Sequence, residues 1–156
     1  MLNGTELVMN EWVALAESFS EAAKGSIGSK NMLALSRICR FLADSQHGQE
    51  LVQAYEWPTR LELKRRDGSH PTKFLRVMGV TENRIEFCLR DDATGVERYF
   101  QPHEPHDHAL ERFQEVVGSI DWNRPVTGPG FGAKLKAWGR FLFVKRYGTW
   151  QARVDG

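Results

Sequence analysis

Val8, Trp12, Leu15, Phe19 and Ala22 recur at steps of four, three, four and three, which sets them in one stripe along an amphipathic helix. Asn3 followed by Glu6 predicts an N-cap with a reciprocal carboxylate at the third helical position, and Gly25 offers the stop. The opposite face carries Glu6, Glu17 and Glu21 and reads as the solvated side. A second helix is expected after a Ser29 cap, burying Leu35, Ile38, Phe41 and Leu42 and ending at His47 and Gly48. Residues 49 to 56 fit a short third helix with Leu51, Val52 and Tyr55 inward. Pro58 stops it, having no N–H to donate and restricting the residue before it.

Beyond Pro58 the apolar period falls from about 3.6 to 2, the signature of strands. Leu61 and Leu63 alternate with Glu62 and Lys64, and Asp67-Gly68 supplies the positive φ of a tight hairpin turn before a second strand from Lys73 to Val80. In the third strand Ile85, Phe87 and Leu89 point one way and Arg84, Glu86, Cys88 and Arg90 the other, which predicts a sheet with one covered face. Asp91 to Gly95 makes the next turn and Val96 to Phe100 a fourth strand, after which Pro102 and Pro105 end the sheet. From Asp107 to Val117 helical spacing returns with Leu110, Phe113 and Val117, and Gly118 closes it. Residues 123 to 132 hold two prolines and three glycines and read as a loop. The last stretch fits a short helix through Leu135, Trp138 and Leu142, then a hairpin turning near Gly148.

The expected architecture is α+β in a single domain over 1–156. Helices in 1–57 pack on an antiparallel β-meander in 59–101, one further helix occupies 107–118, and a basic, aromatic-rich helix/hairpin segment covers 122–156. The length of 156 residues and a 41% hydrophobic share suit one core, and 11% aromatics exclude a disordered chain. No apolar run is long enough to span a bilayer, and the first 23 residues hold four carboxylates and no cation, unlike a signal peptide. A cytoplasmic chain with no transmembrane segment is expected. Cys39 and Cys88 stand far apart without a CxxC, so neither a disulfide framework nor a zinc knuckle is indicated.

The net charge of +1 conceals a polarity. Residues 1 to 121 hold 14 Lys and Arg against 19 Asp and Glu, whereas residues 122 to 156 hold seven cations against Asp155 alone. A local basic surface attracts polyanions even on a nearly neutral molecule. In that segment Lys134, Lys136, Arg140, Lys145 and Arg146 interleave with Phe131, Trp138, Phe141, Phe143, Tyr147 and Trp150. Cations neutralise phosphates while aromatic faces stack on unpaired bases; the plainer reading makes the rings core and the cations their solvated side. Lys64, Arg65 and Arg66 at the hairpin tip form a second basic group, which as an ordinary turn would serve to discourage strand-to-strand association.

His103-Glu104-Pro105-His106-Asp107-His108 is a third candidate, because three imidazoles with neighbouring carboxylates are ligands for zinc or manganese. It lacks an HExxH spacing, and the alternative is a polar loop with Asp107 capping the next helix. Neither cysteine has an adjacent histidine in sequence, and Gly128-Pro129-Gly130-Phe131-Gly132 lacks the lysine and hydroxyl of a phosphate loop.

The sequence thus favours a non-enzymatic binding, accessory or inhibitory protein without a cofactor. Its basic residues Lys64, Arg65, Arg66, Lys134, Lys136, Arg140, Lys145 and Arg146 would engage nucleic acid or an acidic surface on a nucleic-acid-handling protein. The rivals are a metal-dependent hydrolase or nuclease using His103, His106 and His108, and a peripheral membrane or partner-docking segment at 131–147.

Overall fold

Asn3 and Glu6 form the expected capping box: the Asn3 side chain accepts from the Glu6 N–H at 2.8 Å, and Glu6 returns a bond to the Asn3 N–H at 3.0 Å. They open α1 (Gly4–Ala22) in a computed structural model that describes residues 3–25, 29–57 and 60–128, with side chains described outside 55–57 and 101–105. The stripe buries Trp12, Leu15, Ala16 and Phe19, and Gly25 follows at a positive φ. Ala22, placed inward by its spacing, is exposed, and Ala23 turns in instead.

Helix α2 (Ser29–Ala43) is buried on two sides, with Leu35, Ile38, Cys39 and Leu42 inaccessible to water. Neighbouring main-chain carbonyls accept from the donors of its Ser36 and Asn31 side chains. Ser36 Oγ donates to Ala16 O at 2.7 Å on α1, and Asn31 Nδ2 donates to the Thr81 carbonyl at the end of a central strand. The helix stops at Ala43 rather than running to His47, because α3 (Gln46–Glu50) turns away beneath α1. At that junction the Trp12 indole N–H donates to Gly48 O at 2.9 Å. Gly48 is required there, since a Cβ would collide with the Leu42 carbonyl.

The helix expected at 49–56 is instead a strand. β1 (Leu51–Trp57) pairs antiparallel with β2 (Arg60–Arg65), so the helical part ends at Glu50 and the meander has five strands rather than four. Val52, Tyr55 and Trp57 are strand-favouring residue types, and a sheet edge within reach overrides a helical spacing only one turn long. β3 (Lys73–Thr81), β4 (Arg84–Asp91) and β5 (Val96–Pro105) complete the order β1-β2-β3-β4-β5. Seven residues, 66–72, join β2 to β3, longer than a two-residue hairpin, with Gly68 at φ +81°. The prolines expected to end the sheet lie inside β5. Among the described residues β5 is an edge strand, which spares them a ladder bond on one side, and the register slips there, Phe87 facing Phe100 while Ile85 faces Glu104.

Leu61, Leu63, Leu75, Val77, Ile85 and Phe87 present one fully buried face to the helices. The other face is not simply polar and wet as expected: Cys88 is inaccessible and Glu86 and Glu62 are 2% and 7% exposed. A 3-10 turn at His106–His108 leads into α4 (Ala109–Ser119), where Phe113 meets Phe41 edge-on at 6.0 Å. Asp107 is not the N-cap; His108 holds that position without a side-chain bond. The helix and hairpin expected from 131 onward lie outside the described residues. Among the described residues no helix is long and apolar enough to cross a membrane.

Trp12→Ala should cost about 3–5 kcal/mol, the range for truncating a buried large aromatic. Trp12→Phe keeps most of the packing but leaves Gly48 O without its donor, and should cost about 1–3 kcal/mol. Urea denaturation of both variants checks the order; no loss in Trp12→Phe would mean that the indole N–H bond contributes nothing.

Candidate binding surface

The end of the sheet carrying the β2–β3 connection brings two sequence-distant segments together. In the loop, Asp67 accepts from the Ser69 N–H at 2.9 Å and the Ser69 hydroxyl at 2.6 Å, an Asx-type turn that Gly68 permits. These bonds, together with Arg65 at 3.3 Å, hold the Asp67 carboxyl down at about 2. His70 follows with φ +52°, a left-handed conformation rare for a residue with a side chain. Its Nε2 meets Asn123 Oδ1 at 3.0 Å, across 53 residues of chain.

Lys73, 9% exposed at the start of β3, adds the second tie. Its ammonium donates to the Trp122 carbonyl at 2.8 Å and the Arg124 carbonyl at 2.9 Å, so one buried cation fixes the turn that leaves α4. Asp121 shapes that turn, accepting from the Asn123 N–H at 3.0 Å and pairing with Arg124 at 3.3 Å. Beside Lys73, Thr72 Oγ1 and the Ala93 N–H donate to Asp91 and lower its pKa. Between the two segments lies an open cleft of about 500 Å3, with Arg65, Asp67, Ser69 and His70 on one side and residues 120–123 on the other.

The basic hairpin is thus adjacent to the beginning of the carboxylate-poor segment, but its arginines are paired. Arg65 sits 3.6 Å from Glu50 as well as near Asp67, and Arg66 is 3.0 Å from Glu11. Lys64 is half-buried in β2. The partners Glu11, Glu50 and Asp67 are 58%, 41% and 55% exposed, and such surface pairs contribute about 0–1 kcal/mol each, little enough for a polyanion to exchange them. Lys134, Lys136, Arg140, Lys145 and Arg146 lie outside the described residues.

The histidine cluster is split. His106 is buried, its Nε2 2.7 Å from Asp107 Oδ1 and its Nδ1 3.5 Å from Asn83 O, while exposed His108 leans toward Glu111 at 3.9 Å. His103 lies outside the described side chains. Among the described residues no three His, Cys, Asp or Glu side chains are placed to share a metal ion.

A polar row on the sheet face that carries no helix among the described residues was not singled out in the sequence. Glu62, Arg76, Cys88 and Tyr99 stand side by side across β2 to β5. Arg76 Nη2 lies 3.2 Å from the Tyr99 hydroxyl and 3.4 Å from Glu86, bridging over Cys88, and Tyr99 donates to Glu97 at 2.6 Å. Burial pushes the Cys88 thiol up to about 12 despite the Arg76 charge, and burial with the Glu97 bond raises Tyr99 as well. Such a thiol is not a nucleophile at neutral pH. The charged residues of alternate positions in β2–β5 were legible; their mutual burial was not.

Comparison with protein-family models, with curated proteins and with solved structures finds no match.

Asp67 carries a depressed folded-state pKa, so its stabilising bonds are complete above its ordinary value of 3.8 and are lost as pH falls through about 2. A carboxyl carbon titration by NMR should put its midpoint well below 3.8; a midpoint at the ordinary value would dissolve the Asx-turn account. Cys88 should resist a thiol reagent in the native protein at about pH 8, near the ordinary thiol pKa, and react after denaturation. Rapid native modification would contradict its enclosure by Arg76 and Tyr99.

Proposed function

We propose that the protein is a non-enzymatic binding protein that engages a polyanion, nucleic acid first, through the cations of residues 122–156 with the 64–73 loop alongside. The observation that supports this reading is the tie between the two segments. His70 bonds Asn123, and Lys73 holds the carbonyls of Trp122 and Arg124, so the basic segment begins against the basic loop. From Trp122 to Val154 the chain has no carboxylate of its own, so any carboxylate that competes with phosphate for these cations comes from another segment, as Asp121 does for Arg124. Aromatic side chains interleaved with those cations supply stacking surfaces for unpaired bases. A cytoplasmic location goes with this reading. An acidic surface on a nucleic-acid-handling protein would use the same cations, and counterion release tells the two apart.

Replacing Lys136, Arg140, Lys145 and Arg146 by Gln should preserve folding and weaken binding to single- and double-stranded oligonucleotides. Each phosphate that the variant no longer neutralises should lower the slope of log affinity against log salt by about 0.7 to 0.9. Absence of affinity at low salt in the parent, or an unchanged slope in the variant, defeats direct nucleic-acid binding and leaves the protein partner.

A further inference from the structure

A second groove, of about 360 Å3, lies between α1 and the sheet edge at β1, away from the 120–123 turn. Its wall is apolar where α1 contributes Trp12 and Leu15, and its rim carries Ser18, Val52, Gln53 and Arg66. Three of its features converge on one kind of occupant.

The first is main-chain polarity. β1 is an edge of the sheet, and Arg66 N donates to Glu50 O at 2.8 Å where Leu51 faces Arg65. In an antiparallel ladder this makes Leu51 and Gln53 the positions whose main-chain groups point away from the partner strand. The Leu51 N–H is taken by His47 O, which leaves the Leu51 C=O and both groups of Gln53 directed outward, with no strand beside them among the described residues. A register shift after Gln53 ends the stretch, so it suits a short segment rather than another long strand.

The second is charge. Arg66 uses Nη1 for Glu11 at 3.0 Å, while Nε and Nη2 are enclosed and have no acceptor among the described residues. Those two donors form one edge of the guanidinium, the fork that receives both oxygens of a carboxylate. The Arg66 side chain is 26% exposed and that of its Glu11 partner 58%, so a second carboxylate reaches the enclosed fork as the guanidinium turns outward and exchanges Glu11 for it. The third is shape, since an open trough with an apolar wall accepts alternate side chains of an extended chain.

We propose that this groove takes an extended acidic segment of a partner protein, which adds to the outward groups of β1 and places a carboxylate on Arg66. Glu11 then acts as the resident competitor that a peptide carboxylate displaces. A basic segment would find no such opening, because Glu11 already holds its cation and Arg66 would repel it.

The test uses the full chain, 15N-labelled, and a panel of eight-residue Val/Thr peptides with a single Glu at each position in turn, alongside the same peptides with Gln or Lys there. At least one Glu peptide should bind about tenfold more tightly than its Gln counterpart. Its amide shifts should centre on Val52, Gln53 and Arg66. Arg66→Gln should erase the preference for Glu, and Arg66→Lys should reduce it because an ammonium lacks the fork. Gln53→Pro removes an N–H that the β1–β2 ladder does not use, so it should abolish peptide binding while the spectrum of the rest stays folded. Glu11→Gln should tighten binding by freeing Arg66. Equal affinity for Glu and Gln peptides, no binding across the panel, shifts confined to another surface, or full binding by a folded Gln53→Pro variant would each overturn the proposal.

Discussion

Burial of α2 on two sides is the constraint to which the other elements answer. A helix whose Leu35, Ile38, Cys39 and Leu42 are all shut from water must be met by α1 on one side and by the sheet on the other. Its interior polar groups then have to find carbonyls, which Ala16 and Thr81 supply to Ser36 and Asn31. Those two bonds fix how α1 and β3 sit relative to α2. The Trp12–Gly48 bond fixes α3 in turn, and with it the point where the chain enters the sheet. A packing requirement in one helix thereby sets where β1 becomes an edge.

The two candidate surfaces follow from that placement. With the described helices on one face, the chain leaving α4 crosses the sheet end where β3 begins and β4 finishes, and Lys73 anchors it there by two carbonyls. The basic loop and the start of the basic segment become neighbours as a consequence. At the β1 edge, α1 stands off the sheet far enough to leave an apolar trough, with Arg66 on its rim next to Arg65 of the other cleft. One surface is governed by cations that are locally paired yet exchangeable, the other by outward main-chain groups and a single guanidinium with donors to spare.

Elements with long periods and matched caps were legible in the sequence. The Val8–Phe19 stripe and the Asn3/Glu6 cap specified α1 because local and tertiary preferences agree there. Ile85, Phe87 and Leu89 specified the inner face of β4 for the same reason. The stretch 49–56 misled because a single turn's worth of spacing carries little weight against an available edge of β2, and Pro102 misled because edge position and a register shift remove its penalty. At the site, proximity of Arg65 to Trp122 depended on bonds some 50 residues apart, which no local pattern encodes. The carboxylates that pair Arg65 and Arg66 also come from α1 and α3, so a charge run alone overstated how bare the hairpin is. The histidine cluster shows the converse, since three imidazoles close in sequence do not bring His106 and His108 onto a shared partner.

The central claim is that the 64–73 loop, the 120–124 turn and the cations beyond them act as one polyanion-binding surface. The most direct measurement is an amide shift map of the full chain during titration with a short single-stranded oligonucleotide. The account predicts a contiguous patch of perturbed amides at residues 64–73 and 120–124, continuous with residues of the basic segment and absent from Trp12, Leu15, Val52 and Gln53. Perturbation confined to the basic segment, or centred on α1 and β1, would contradict it.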